Sequence, residues 1–207
     1  MTALTKNWLA LGDSYTIGEG VQLYDSYPYQ TLQLLRAGGM QINAPEIVAQ
    51  TGWTTGELIQ HLEHRTRLLP RYDFVTLLIG VNNQYRGLPE NEYAEEFTLL
   101  ANKAIALAEG GKVAVISIPD WGVTPFAAGR DTAVICEQID EYNGINREIS
   151  GKLGLPYINI TETYRLTGGR PEGVVEDKLH PSAAIYAGWA EKLAAVFNPA
   201  PAAGILI

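Results

Sequence analysis

Short apolar runs alternate along the chain with longer stretches of mixed polarity, and the spacing predicts strands separated by helices. Trp8 to Leu11 reads as a first strand. Ile47 to Ala49 begins a second segment that ends at Gln50-Thr51-Gly52. The run Phe74-Val75-Thr76-Leu77-Leu78-Ile79 is apolar almost throughout, which suits a strand covered on both faces. Val113 to Ile118, broken at Pro119, is the fourth strand, and Tyr157 to Ile160 the fifth.

Helices fill the intervals. Ser26 offers an N-cap and Pro28 a first-turn residue for a helix to about Ala37, stopped by Gly38 and Gly39. A second runs from Thr55 to Leu69, where Pro70 halts it; Leu58, Leu62, Arg65, Thr66 and Leu69 share one side, with only the stem of Arg65 buried. Glu90 to about Glu109 closes on Gly110-Gly111, Asp131 caps a long helix to Leu153, and Ser182 caps a last one ending near Phe197.

Five strands alternating with helices, without repeat or long linker, predict an α/β fold: one doubly wound, flavodoxin-like, three-layer domain on a parallel five-stranded sheet of order 2-1-3-4-5. The domain is expected over residues 1–198, with 199–207 a C-terminal tail lying as a surface extension. In that order the carboxyl ends of strands one, two and three lie side by side, where such sheets hold their ligands.

Composition narrows the classes. The 207 residues are 46% hydrophobic and 18% charged, the balance of a globular domain, and the net charge of -8 disfavours nucleic acid and anionic membrane as partners. The one cysteine, Cys136, excludes an intrachain disulfide and cannot build a zinc cage by itself. No run approaches the roughly 20 apolar residues of a membrane span. The opening MTALTKNWLALGDS lacks the basic and long apolar regions of a secretory signal, so a cytoplasmic protein is expected.

Three segments fall at the ends of the neighbouring strands: Gly12-Asp13-Ser14-Tyr15, Thr51-Gly52-Trp53 and Gly80-Val81-Asn82-Asn83. A fourth, Asp177-Lys178-Leu179-His180-Pro181, precedes the last helix. The set resembles the SGNH/GDSL family of hydrolases, whose blocks are G-D-S, a glycine, G-x-N-D and D-x-x-H in that order. Asn83 departs from the aspartate common in the family, which bears on loop packing more than on catalysis because Asn82 keeps the asparagine of the block.

The chemistry has a physical rationale. A serine hydroxyl is a weak nucleophile until a base takes its proton, and His180 is the candidate base for Ser14. Asp177, three residues earlier, can hold the far ring nitrogen, fixing the tautomer and stabilising the imidazolium. Negative charge developing on a carbonyl oxygen must be met by fixed donors. The resemblance implies that these are the backbone N–H groups of Ser14 and Gly52 and the side-chain amide of Asn82. Trp121 and Phe126, with Pro125, either line an acyl or leaving-group pocket or form a lid packed on the core.

The resulting expectation is a serine hydrolase that cleaves carboxylic esters through an acyl-enzyme, without cofactor or metal. The family implies short acyl esters, acetylated sugars, lysophospholipids or thioesters as small-molecule partners. His61 and His64 have H-x-x-H spacing, but His61 falls at the edge of the apolar face of its helix and His64 opposite, with no H-E-x-x-H motif; solvated histidines are expected. Cys136 reads as a packed thiol. G-x-S-x-G is absent around Ser14, which argues against ordinary α/β-hydrolase chemistry. The alternative is a flavin- or nucleotide-binding module, since Ser14-Tyr15-Thr16-Ile17-Gly18 superficially resembles a hydroxyl-rich phosphate loop. It lacks a Walker A lysine and the G-x-G-x-x-G spacing, and it gives Asp177 and His180 no task.

Overall fold

In a computed structural model, residues 4–64 and 67–198 are described. Five strands, β1 (Trp8–Asp13), β2 (Glu46–Gln50), β3 (Phe74–Leu78), β4 (Lys112–Ile116) and β5 (Tyr157–Ile158), form one parallel sheet in the order β2-β1-β3-β4-β5. β1 and β3 are buried at every position, so their apolar runs cover both faces of the sheet centre. Around them lie α1 (Ser14–Ile17), α2 (Tyr27–Ala37), α3 (Thr55–His64), α4 (Val81–Tyr85), α5 (Glu90–Ala108), α6 (Thr132–Lys152), α7 (Thr161–Thr167) and α8 (Ala183–Phe197). α2 packs on α8, while α5 packs on α3, α6 and β3, giving helical layers on both sides of the sheet.

The α8 layer is fastened to the sheet by aromatics. Phe197 stacks on Phe74 with centroids 4.3 Å apart and meets Trp8 edge-on at 5.6 Å. The Trp8 indole N–H donates to Thr76 Oγ1 at 3.2 Å, satisfying its one polar atom within the core. No helix among the described residues is long and apolar enough to cross a membrane.

The structure departs from the pattern in four places. The helix from Thr55 is described to His64, and residues 67–69, expected to continue it, are not helical; Arg65 and Thr66 lie outside the described residues, and Leu69 is 44% exposed. Leu58 and Leu62 already bury the apolar face, and the Leu69 N–H turns to the Tyr72 hydroxyl at 3.0 Å. β5 is only two residues long, because Ile160 precedes α7 as its N-cap. Ser26 and Ser182 stand at the N-caps of α2 and α8 but make no side-chain capping bond: Ser26 Oγ donates to Leu23 O at 2.7 Å instead. Asp131 does cap α6, accepting from the N–H groups of Ala133 and Val134. The tail 199–207 lies outside the described residues.

Candidate active site

β1 runs straight into α1, so Ser14 stands at the carboxyl end of a central strand. The turn is tight enough to dictate a glycine: a Cβ at Gly12 would lie 2.1 Å from Thr16 Oγ1 and 2.4 Å from Leu78 O. Asp13 caps the turn, its Oδ1 accepting from Tyr15 N at 3.0 Å. Asp13 is fully buried, and burial pushes its carboxyl up to about 7 against the pull of that N–H.

The loop before α8 carries the other half. An antiparallel bridge between Val174 and Pro181 and the Val175 N–H to His180 O bond of 2.9 Å close it into a compact turn. Asp177 Oδ1 accepts from the N–H groups of Leu179 and His180, at 2.8 and 2.9 Å, while Oδ2 faces His180 Nδ1 at 2.6 Å. The opposite ring nitrogen, Nε2, lies 2.9 Å from Ser14 Oγ. Partial burial would raise the Asp177 carboxyl, but the bond to the imidazole and the two backbone donors outweigh it and hold the group below its ordinary value. Ser14 and His180 are 4% and 6% exposed, and the Tyr15 ring packs 5.1 Å from the imidazole.

A cleft of about 190 Å³ opens on this pair. One side is formed by Ser14, Gly52 and Asn82, brought together because β2, β1 and β3 are neighbours. Gly52 has φ +84°, the left-handed region that favours glycine. Asn82 Nδ2 donates to Trp53 O at 3.0 Å, which occupies one amide hydrogen and leaves the second for the cleft. Asn83 points the other way: fully buried, it accepts from Thr55 N at 3.0 Å and donates to Thr55 Oγ1 at 2.6 Å, clasping the start of α3. Its departure from the family aspartate thus falls in loop packing.

The remaining walls are apolar. Trp121 and Phe126 both line the cleft, joined by Tyr85, Val81 and Leu179, which the sequence pattern does not single out. Trp121 is rigid. Its indole N–H donates to Gln84 Oε1 at 2.7 Å, and the preceding Asp120 is fully buried, paired with Arg165 at 2.8 Å. Arg86, also missed, donates to Gly52 O and to Glu57, tying the Gly52 turn to the end of α4. A long polar side chain reaching between loops leaves no periodic signal in sequence.

The other titratable candidates lie elsewhere. His61 packs at a tilt against Trp53 with centroids 4.7 Å apart, and the exposed His64 lies 3.7 Å from Glu63. Cys136 is half-buried on α6, with its carbonyl held by Arg165 and its thiol pushed up by burial.

A serine, an imidazole and a carboxylate in hydrogen-bonding series, on a doubly wound parallel sheet and at the mouth of a partly apolar cleft, define the class as a hydrolase fold. The chain belongs to the GDSL-like lipase/acylhydrolase family, whose model matches residues 10–187, and it is accordingly an esterase- or lipase-like hydrolase. Among curated proteins none matches the sequence. Among solved structures it is similar to the lipase/acylhydrolase from Enterococcus faecalis, at 20% identity and TM-score 0.73 over 95% of this chain and 100% of that one. It is also similar to Axe2, an acetylxylan esterase from Geobacillus stearothermophilus, at 18% identity and TM-score 0.71 over 91% and 92%. TesA matches at 18% identity and TM-score 0.71, over 94% and 99%.

Proposed function

We propose that the protein cleaves short-chain or acetylated carboxylic esters through an acyl-enzyme formed on Ser14. The observation that carries the reading is the unbroken series Asp177 Oδ2, His180 Nδ1, His180 Nε2 and Ser14 Oγ, with steps of 2.6 and 2.9 Å, in the cleft that Gly52 and Asn82 line.

With Asp177 ionised, His180 carries its proton on Nδ1 and presents Nε2 as acceptor. Ser14 Oγ attacks the ester carbonyl while its proton passes to Nε2. The carbonyl oxygen takes the negative charge against the N–H groups of Ser14 and Gly52 and the second amide hydrogen of Asn82. On collapse, the imidazolium gives that proton to the departing alkoxide, and the alcohol leaves. Water then enters, gives a proton to Nε2, and adds to the acyl carbonyl; Ser14 Oγ departs with the proton and the carboxylic acid is released.

The size of the cleft supports small acyl groups, since about 190 Å³ is below the roughly 300–1,000 Å³ of pockets that enclose drug-sized ligands. The leaving alcohol then extends outside, as an acetylated sugar would. The likeness to an acetylxylan esterase supports the same class. The test is a fluorophosphonate probe with wild type and Ser14→Ala, combined with a panel of p-nitrophenyl esters and acetylated xylo-oligosaccharides. Stoichiometric labelling of wild type alone, with turnover of acetyl esters, is expected. A purified protein that carries flavin absorbance and takes no label would overturn the reading in favour of a flavin-binding module.

A further inference from the structure

The apolar wall of the cleft is built of one buried ring and two part-exposed ones. Trp121 is 3% exposed and pinned through its indole N–H to Gln84, whereas Tyr85 and Phe126 are 45% and 37% exposed. All three converge on one cation. The Arg130 guanidinium carbon lies 5.1 Å from the Tyr85 ring centre, 5.0 Å from that of Trp121 and 5.6 Å from that of Phe126. Its Nη2 also donates to the Tyr85 hydroxyl at 3.1 Å. Arg130 makes no ion pair among the described residues, although the chain carries a net charge of -8. Its nearest acid in sequence, Asp131, caps α6.

The location of this cation relative to the cleft gives it a use. Arg130 does not line the catalytic cleft. It lines a second groove of about 440 Å³, together with Val134, Ile135 and Gln138, and the two spaces share Tyr85 and Trp121 as a common wall. The wall is therefore a partition two rings wide, with the nucleophile on one side and a half-apolar groove on the other. A planar guanidinium attracted to three ring faces draws the part-exposed rings toward the buried one.

We propose that Arg130 is a specificity-determining residue that holds this partition shut and so limits the acyl group to short chains. The inference rests on the esterase reading above and adds the residue that sets chain length. With Arg130 in place, an acyl chain on Ser14 meets the Tyr85–Trp121–Phe126 wall after a few carbons. With the clamp removed, Tyr85 is free to swing, and a longer chain passes toward Ile135 and Val134.

The test compares wild type, Arg130→Ala, Arg130→Lys and Phe126→Ala on p-nitrophenyl acetate, butanoate and octanoate, read as kcat/KM. Arg130→Ala is expected to raise the octanoate-to-acetate ratio by about tenfold or more, the scale on which methylene recognition in an apolar pocket operates. Arg130→Lys, which keeps a charge but loses the planar fork, should fall between. Phe126→Ala removes a ring that lines only the catalytic cleft, so it widens the cleft without opening the partition and should shift the ratio less than Arg130→Ala. The rate of labelling by short- and long-chain fluorophosphonates supplies a second readout that needs no turnover, and should move in parallel. An unmoved ratio in both readouts, or an equal loss on all three esters, would overturn the clamp. A wild type that neither labels nor turns over any ester defeats the esterase reading itself, which is a different result.

Discussion

The side-chain amide of Asn82 holds the carbonyl oxygen of Trp53 at 3.0 Å, so the loop after β3 is tied to the loop after β2 by the same group that faces the cleft. One hydrogen of the amide fixes its orientation and the other is aimed by that constraint. A donor prepositioned in this way is worth most when charge has developed on the substrate oxygen, and least to the neutral ester.

Asn82→Ala should therefore lower kcat by about 100- to 1,000-fold, or roughly 3–4 kcal/mol, with little change in KM. Asn83→Ala should leave kcat far higher, because its amide faces Thr55. Its cost should appear in stability: two buried hydrogen bonds are lost and Thr55 N is left without its partner, about 1–3 kcal/mol. Steady-state kinetics with one activated ester and a denaturant melt of each variant separate the two. If Asn83→Ala proves the more damaging to kcat, the oxyanion role belongs elsewhere.

Asp177 and His180 should differ in what their removal costs. Asp177 is held below its ordinary value, so the stability it supplies is present at neutral pH and is lost progressively as pH falls from the ordinary carboxylate value through its own lower one. His180→Ala should lose about 10⁶-fold in kcat, and Asp177→Ala about 10³- to 10⁴-fold, because the carboxylate orients the ring without transferring a proton to the substrate. An Asp177→Ala enzyme with full turnover would show that another group holds the histidine.

Asp13 should give the folded protein a pH-dependent weakness independent of catalysis. An exposed aspartate in the unfolded chain titrates near ~3.9, whereas burial pushes Asp13 up to about 7. Between those values the folded chain keeps a proton that the unfolded chain has lost. The associated stability is complete below about pH 4 and is lost as pH rises through about 7, at about 1.4 kcal/mol per pH unit inside the window. Asp13→Asn keeps the acceptor for Tyr15 N but cannot ionise. Its stability relative to wild type should therefore improve from about pH 5 to about pH 8, measured by urea melts at both. A constant difference would mean that Asp13 is ionised throughout.

Much of the sheet and of the chemistry is legible in the sequence, for different reasons. β1 and β3 are read from unbroken apolar runs because a strand buried on both faces has no polar position to offer. The residues of the candidate site are read from short blocks because each turn constrains its own sequence: Gly12 by the approach of Thr16 and Leu78, Gly52 by its positive φ, Asp177 and His180 by closing a four-residue hydrogen-bonded turn. The residues that shape and brace the cleft are not legible. Tyr85 lies on a helix of one and a half turns, too short for a periodic signal, while Arg86 and Arg130 act at the ends of long flexible stems whose targets are distant in sequence. The caps expected of Ser26 and Ser182 fail because a serine before a helix has other acceptors to choose, as Ser26 does in bonding Leu23 O.

Arg86 supplies the last prediction. Its guanidinium donates to the carbonyl oxygen of Gly52 from one nitrogen and to Glu57 from the other, so the peptide after Gly52 is held from the end of α4. Arg86 does not line the catalytic cleft and is a positioning residue. If the Gly52 N–H serves the oxyanion, a shift of the turn by a fraction of an ångström weakens the donor without removing it. Arg86→Ala should then lower kcat by about tenfold, short of the roughly 100-fold that a 1 Å misplacement can cost. KM should change little, because the ground-state ester makes the weaker use of that donor. Arg86→Lys should recover part of the loss, since an ammonium can reach one acceptor but not span both. Both pairs are part-exposed, so thermal melts should move by no more than a few degrees. The split between kcat and KM decides the matter: a rise in KM alone would place Arg86 in ester binding, and an unchanged kcat in Arg86→Ala would mean that the Gly52 turn holds its shape without the brace.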